Sequence, residues 1–149
     1  MAVGNALYPL WKAALMKEPA TLPTDKSLDQ GGLNPVRGCY LSLVDINAYV
    51  YADSHEFYSS VTGVMCPQQL ITNPTVNGRV FDGDDVVFTN VTTALGPSIG
   101  AVVIARQNSG GAGQWRLVMY EDTGITGIPL IPSGGNILVT WNTQGIFGL

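Results

Sequence analysis

The chain has 149 residues, of which only 12% are charged, and a formal net charge of −4. Typical soluble domains carry about 25% charged residues, so too few Lys and Arg remain here for a phosphate-binding face, which argues against nucleic-acid binding. Two cysteines, Cys39 and Cys66, do not make a disulfide framework or a thiolate metal site and read as buried free thiols, and no apolar run approaches the ~20 residues needed to cross a bilayer.

The length suits one domain, which buries roughly 68–70% of its unfolded surface. With 18 Gly, 9 Pro and 46% apolar residues, two readings stay open: a β-rich domain with many turns, or a chain with a large permanent interface. Met1–Val3 lack the positive n-region of a secretory signal, so synthesis in a cytoplasm is expected.

At the N-terminus, Asn5 is placed to cap a helix, with Pro9 in its first turn, where a missing N–H costs least. Leu7, Trp11 and Leu15 recur every four residues along one face. So short a helix needs a docking surface, either its own domain or a partner. Glu18–Pro35 has three prolines, a Gly31–Gly32 pair and no hydrophobic period. It reads as an extended connector, either an arm across a neighbouring surface or a plain linker. The expected organisation is therefore a helix and arm over residues 1–36, followed by a β domain over 37–149.

From Arg37 onward the pattern is one of strands and turns. Cys39–Tyr51 reads as one long extended segment, with Leu41 and Leu43 on one face and Ser42 and Val44 on the other. Asp53–Val61 reads as a short helix, with Asp53 as N-cap and Glu56 completing a capping box. Met65–Thr72 is a predicted strand ended by Asn73-Pro74, and Asn77-Gly78 and Asp82-Gly83 are turns flanking a short strand at Arg79–Phe81. Val86–Val91 and Ile99–Arg106 are predicted buried strands, joined through a glycine-rich tip at Asn108–Gly113 to a strand with Trp115, Leu117 and Met119 on its core face. Ile137, Val139 and Trp141 share a face of the last strand, beyond two Gly/Pro turn clusters. Many short strands between turns predict a mainly β fold, an antiparallel sandwich or barrel-like domain.

Few residues suggest chemistry. The single histidine, His55, lies between Ser54 and Glu56, but adjacent residues on a helix diverge, so this is not a nucleophile–base pair. Asp82, Asp84 and Asp85 form an acidic cluster that lacks the alternating ligand spacing and late Glu of a calcium loop, and a turn explains it equally well. Gly110, Gly111 and Gly113 open no helix and precede no Lys, so they read as a hairpin tip and not a phosphate cradle.

Several pieces resemble one family of tailed-phage virion proteins, the capsid decoration or cement proteins. Asn5-Ala6-Leu7-Tyr8 is similar to that family's opening "NALY" helix. Val80–Phe88, VFDGDDVVF, resembles its "VFDADDVTF" strand-turn-strand, and Val118–Gly124, VMYEDTG, its "YKDTG" piece. Ser133–Trp141, SGGNILVTW, resembles its "NGGDITVTW" element, and an apolar IF-x-L tail follows at Ile146–Leu149. The Thr21–Val36 connector is longer and richer in proline than the family pattern. The resemblance implies a β-sandwich-like module on the outside of an assembled shell, with the major capsid protein as partner. It further implies a dimer or trimer on the capsid, a place in the virion, and no catalysis or cofactor. The implied shell contacts are Leu7, Tyr8, Leu10, Trp11 and Leu15 on the helix and Leu22, Leu28 and Leu33 on the connector. Removing residues 1–18 is then expected to leave the β domain folded and weaken attachment. Alternatives are a head–tail connector or tail subunit, and a small hydrolase or sugar-binding module using Trp115 or Trp141.

Overall fold

The computed structural model describes residues 5–16, 38–91, 99–108 and 110–149, with the side chains of residues 14–16 outside that description. The described residues form ten short strands and one α-helix: β1 Ala6–Leu7, α1 Pro9–Met16, β2 Cys39–Val44, β3 Gln69–Leu70, β4 Thr75–Asn77, β5 Val80–Asp82, β6 Val86–Phe88, β7 Ala101–Arg106, β8 Arg116–Glu121, β9 Ile137–Val139 and β10 Phe147–Gly148. They form a five-stranded sheet in the order β1-β8-β7-β2-β3, a three-stranded sheet β10-β5-β4 and a two-stranded sheet β6-β9. Every pairing among the described residues is antiparallel. The fold is mainly β, as the alternation of strands and turns predicts, and none of these sheets closes on itself.

The five-stranded sheet is covered on both faces. All six residues of β7 are buried, as are the four central residues of β8, so β8 has two core faces where the sequence suggested one. Register places Leu41 opposite Ile104 and Leu43 opposite Val102 on one face, with Ser42 opposite Val103 on the other. The Ser42 hydroxyl lies 2.7 Å from the Tyr58 hydroxyl, which satisfies the one polar side chain in the middle of β2. Arg106 is fully buried at the end of β7, where Nη1 donates to the carbonyls of Gly38 and Gln107, both at 3.2 Å.

The N-terminal segment belongs to this core. Asn5 does not cap the helix. Its amide donates to Glu121 Oε1 at 2.8 Å and its carbonyl accepts from Thr123 Oγ1 at 3.3 Å, which aligns Ala6–Leu7 as a strand beside β8. The helix instead starts at Pro9, the first helical position, where proline's fixed φ and missing N–H fit best. Tyr8 and Trp11 are enclosed, at 0% and 1% exposure. The Trp11 ring meets Phe147 edge-on at 5.9 Å, and Phe147 in turn packs on Phe81 at 5.2 Å. The helix therefore docks on its own domain, and residues 5–13 are not a detachable arm.

Two further expectations give way to tertiary contacts. Asp53–Val61 is not a helix: Phe57 bridges Arg116, Tyr58 N–H donates to the Trp115 carbonyl at 2.8 Å, and only Tyr58–Ser60 makes a single 3-10 turn. Partners on β8 outweigh the weak local preference of a short helix. The Met65–Thr72 strand shrinks to Gln69–Leu70, because the pairing with β2 that begins at Val64 is interrupted around Cys66 and Pro67, which has no N–H to donate. Likewise Cys39–Tyr51 is not one extended run, since β2 ends at Val44 and a turn follows at residues 46–48.

Glycine is required at two turns. Gly78, with φ +62, starts the two-residue Gly78-Arg79 link between β4 and β5, as a type II′ hairpin needs. Gly145, with φ +108, has Val80 Cγ1 only 2.3 Å from where a Cβ would stand, so only glycine lets the chain bring β10 against β5.

Trp11 provides a direct test of this packing. Among the described residues its buried indole N–H has no hydrogen-bond partner. Trp11→Ala is expected to lower unfolding free energy by about 3–5 kcal/mol, as large-to-small core changes do. Trp11→Phe keeps an aromatic ring and removes the orphan donor, so it should cost clearly less. Urea denaturation of both variants checks this ordering; equal losses would contradict it.

Candidate functional site

The segments that carry the family resemblance are far apart in sequence yet pair with one another in space. Asn5–Tyr8 lies along Val118–Thr123 through the β1–β8 ladder, the Tyr8 N–H to Val118 carbonyl bond at 3.0 Å, and the Asn5 contacts. Val86–Phe88 pairs with Ile137–Val139, and two bonds between Val91 and Gly134–Gly135 extend that ribbon. Val80 and Phe81 pair with Gly148 and Phe147 of the tail.

The acidic cluster serves this convergence. Asp84 Oδ2 accepts from Thr72 Oγ1 at 2.7 Å and Asn73 Nδ2 at 2.6 Å, while its carbonyl accepts from the Trp141 indole at 3.0 Å. Asp85 Oδ1 accepts from the Trp141 backbone N–H at 3.0 Å. The Asp85 carboxylate and the Asp84 carbonyl therefore fasten the chain after β9 to the turn before β6, and the Asp84 carboxylate ties that turn to Thr72-Asn73. Among the described residues no group of three or more His, Cys, Asp or Glu is arranged to hold a metal ion.

His55 is engaged by tyrosines. Its Nδ1 lies 2.9 Å from the Tyr49 hydroxyl, which is 2.7 Å from the Tyr8 hydroxyl. Tyr51 stacks between Tyr8 and Tyr120, with centroids at 5.1 and 5.3 Å. Burial pushes the Tyr8 phenol far above its ordinary range, and burial with the Asp53 hydrogen bond pushes Tyr51 up to about 12. The phenols thus stay protonated as hydrogen-bonding groups that tie the N-terminal segment to the loop after β2. Glu56 is committed to Arg116 at 2.7 Å. Cys39 and Cys66 form no disulfide; burial pushes the enclosed Cys39 up to about 12, which leaves it a poor nucleophile.

Of the expected contact residues, Tyr8 and Trp11 are core residues and present no surface, a correction that follows from their burial. Leu7 is half-buried and Leu10 is 37% exposed. The Leu15 side chain, and Leu22, Leu28 and Leu33 with the rest of the 17–37 connector, lie outside the described residues. Surface that the sequence did not single out is more prominent: Val87 and Leu138, directly opposite each other in the β6–β9 ribbon, are 47% and 53% exposed. The signal was present in the alternation of each strand, since Val86, Phe88, Ile137 and Val139 turn inward and leave Val87 and Leu138 outside.

A cleft of about 640 Å³ opens beside β1, lined by Asn5, Leu7, Lys12, Tyr51, Asp53, Met119, Glu121 and the Ile146–Gly148 tail among others. Burial raises the pKa of the Glu121 carboxyl there; the Asn5 hydrogen bond opposes that rise, and Asp122 adds to it. Comparison with protein-family models, curated proteins and solved structures finds no match to this chain.

The raised Glu121 pKa has a signed consequence. Folding strengthens proton binding there, so its contribution is fully present below the unfolded pKa and is lost as pH rises through the folded one. Glu121→Gln, which still accepts from Asn5, should match wild type in acid and exceed it in stability at neutral pH. Urea midpoints across that range check the prediction, and parallel profiles would contradict it.

Proposed function

We propose that this chain is a structural virion protein of a tailed phage, a cement protein that binds the outer surface of the assembled capsid and bridges neighbouring subunits of the major capsid protein. The observation that carries this reading is the convergence just described. Chance matches of five short motifs have no reason to fall on mutually pairing segments, whereas here NALY lies on VMYEDTG and VFDGDDVVF lies on both SGGNILVTW and the IF-x-L tail. What resembles the family is thus the bonded framework of the fold.

Exposed apolar residues suit the role. Val87 and Leu138 make a ready-formed apolar ridge, and Ile131 and Val50 are 72% and 77% exposed. Each copy needs only modest contact with each shell subunit, because two linked contacts act together as avidity. Such bridging opposes separation of the subunits when the shell is under internal pressure. A dimer or trimer on the shell would multiply the same effect.

Co-sedimentation with undecorated shells of the same phage tests the proposal. Wild-type protein is expected to pellet with shells, while a Val87→Glu/Leu138→Lys double variant, altered only on the outer face of the ribbon, should bind at least about tenfold more weakly, a loss of ~1.4 kcal/mol. Failure of the folded wild-type protein to pellet would overturn the proposal, and closed rings of the purified protein in electron micrographs would favour a head–tail connector instead.

A further inference from the structure

Among the described residues, the cleft beside β1 runs between two sheet edges. β1 is an edge of the five-stranded sheet and β10 an edge of the three-stranded sheet, and both line the cleft. In an antiparallel ladder, hydrogen-bonded pairs alternate with pairs whose peptide groups point away from each other. The bond from Tyr8 N–H to the Val118 carbonyl makes Tyr8 a bonded position, so the N–H and C=O of Leu7, opposite Met119, point outward from β8. By the same parity, the Leu149 N–H bond to the Arg79 carbonyl leaves Gly148, opposite Val80, with its N–H and C=O pointing away from β5.

The lining shows that the cleft passes the β1 edge and does not merely cover one face. Asn5, Leu7, Met119 and Glu121 share one face of the sheet by register. Tyr51, also in the lining, stacks on Tyr120, which faces the other way. The space is bounded by β1 on one side and β10 on the other.

We propose that this cleft binds an extended segment of another protein, which adds a strand to the β1 edge and also meets the outward peptide groups of Gly148. Backbone hydrogen bonds would supply affinity and alternate side chains specificity. The segment's apolar side chains would lie against Leu7, Met119 and Phe147. A basic side chain would face Asp53 and Glu121, two carboxylates set, among the described lining residues, against the one ammonium of Lys12, in a chain of net charge −4. This recognition needs only backbone chemistry and the cleft, so it does not rest on the capsid reading.

Selection of a displayed library of random linear peptides on the purified protein tests it. Enriched peptides should alternate apolar side chains with a basic residue. Gly148→Ala, whose Cβ would meet nothing nearer in the chain than the Arg79 carbonyl at 3.7 Å, should keep the wild-type melting temperature and so shows that the position tolerates substitution. Leu7→Pro and Gly148→Pro each remove an outward N–H that no ladder bond uses, as edge positions tolerate, and should weaken binding at least about tenfold. Leu7→Ala, which trims the side chain and keeps the N–H, separates lost packing from the lost donor, and thermal melting confirms that each variant is folded. The proposal is overturned if no peptide is enriched, or if enriched peptides bind both proline variants as tightly as wild type. It is also overturned if the wild-type protein self-associates and Gly148→Pro abolishes that association, since the occupant would then be a second copy.

Discussion

The fold depends on covering a sheet whose central strands are apolar on both faces. β7 exposes none of its six residues and β8 buries four of its six, so neither face can be left to water. Burying a large apolar side chain stabilises by about 1.5–3 kcal/mol relative to leaving it exposed, and a face left open would forfeit that for each residue on it. The N-terminal segment meets this requirement by turning around the sheet's edge. Tyr8 joins the tyrosine cluster with Tyr49, Tyr51 and Tyr120, while Trp11, one helical turn later, reaches Phe147 and through it the three-stranded sheet. A few residues thereby bind two layers together, which is why β1 and α1 behave as parts of the domain.

The polar residues follow the same logic. Asp84 and Asp85 look in sequence like a ligand cluster, but they hold Trp141 and the Thr72-Asn73 turn, so short strands with few ladder bonds of their own are pinned at their ends. Asn5 looks like a helix cap, yet its amide spans to Glu121 and Thr123 and sets the register of β1. In each case a side chain suited to a local role serves a distant one.

The strands around Leu41, Val103 and Leu117 were legible because each is a bounded apolar run, and the Gly78 turn because Asn-Gly stands in a short polar break, while the turn at Gly145 was not read from the sequence. The alternation at Ile137–Val139 was likewise read from the sequence, whereas Val86–Val91 was expected to be a buried strand and instead ends at Phe88 with Val87 exposed. What sequence could not supply was partnership. Asp53–Val61 carries a helix signature, and only the presence of Arg116, Trp115 and Leu117 alongside it draws it into an extended path. Leu7, Trp11 and Leu15 present a helical stripe that fits a partner or the domain itself, and the burial of Trp11 decides for the domain. The cleft beside β1 had no sequence signature, since its walls come from segments more than a hundred residues apart.

The most direct measurement is equilibrium unfolding of a chain lacking residues 1–13, followed by near-ultraviolet circular dichroism. Without Tyr8, Trp11 and the β1 edge strand, the remaining chain should lose its fixed aromatic signal and its cooperative transition. A truncated chain that unfolds cooperatively at the wild-type midpoint, with wild-type near-ultraviolet ellipticity apart from the missing rings, would contradict the account and restore the N-terminal segment to the status of a detachable arm.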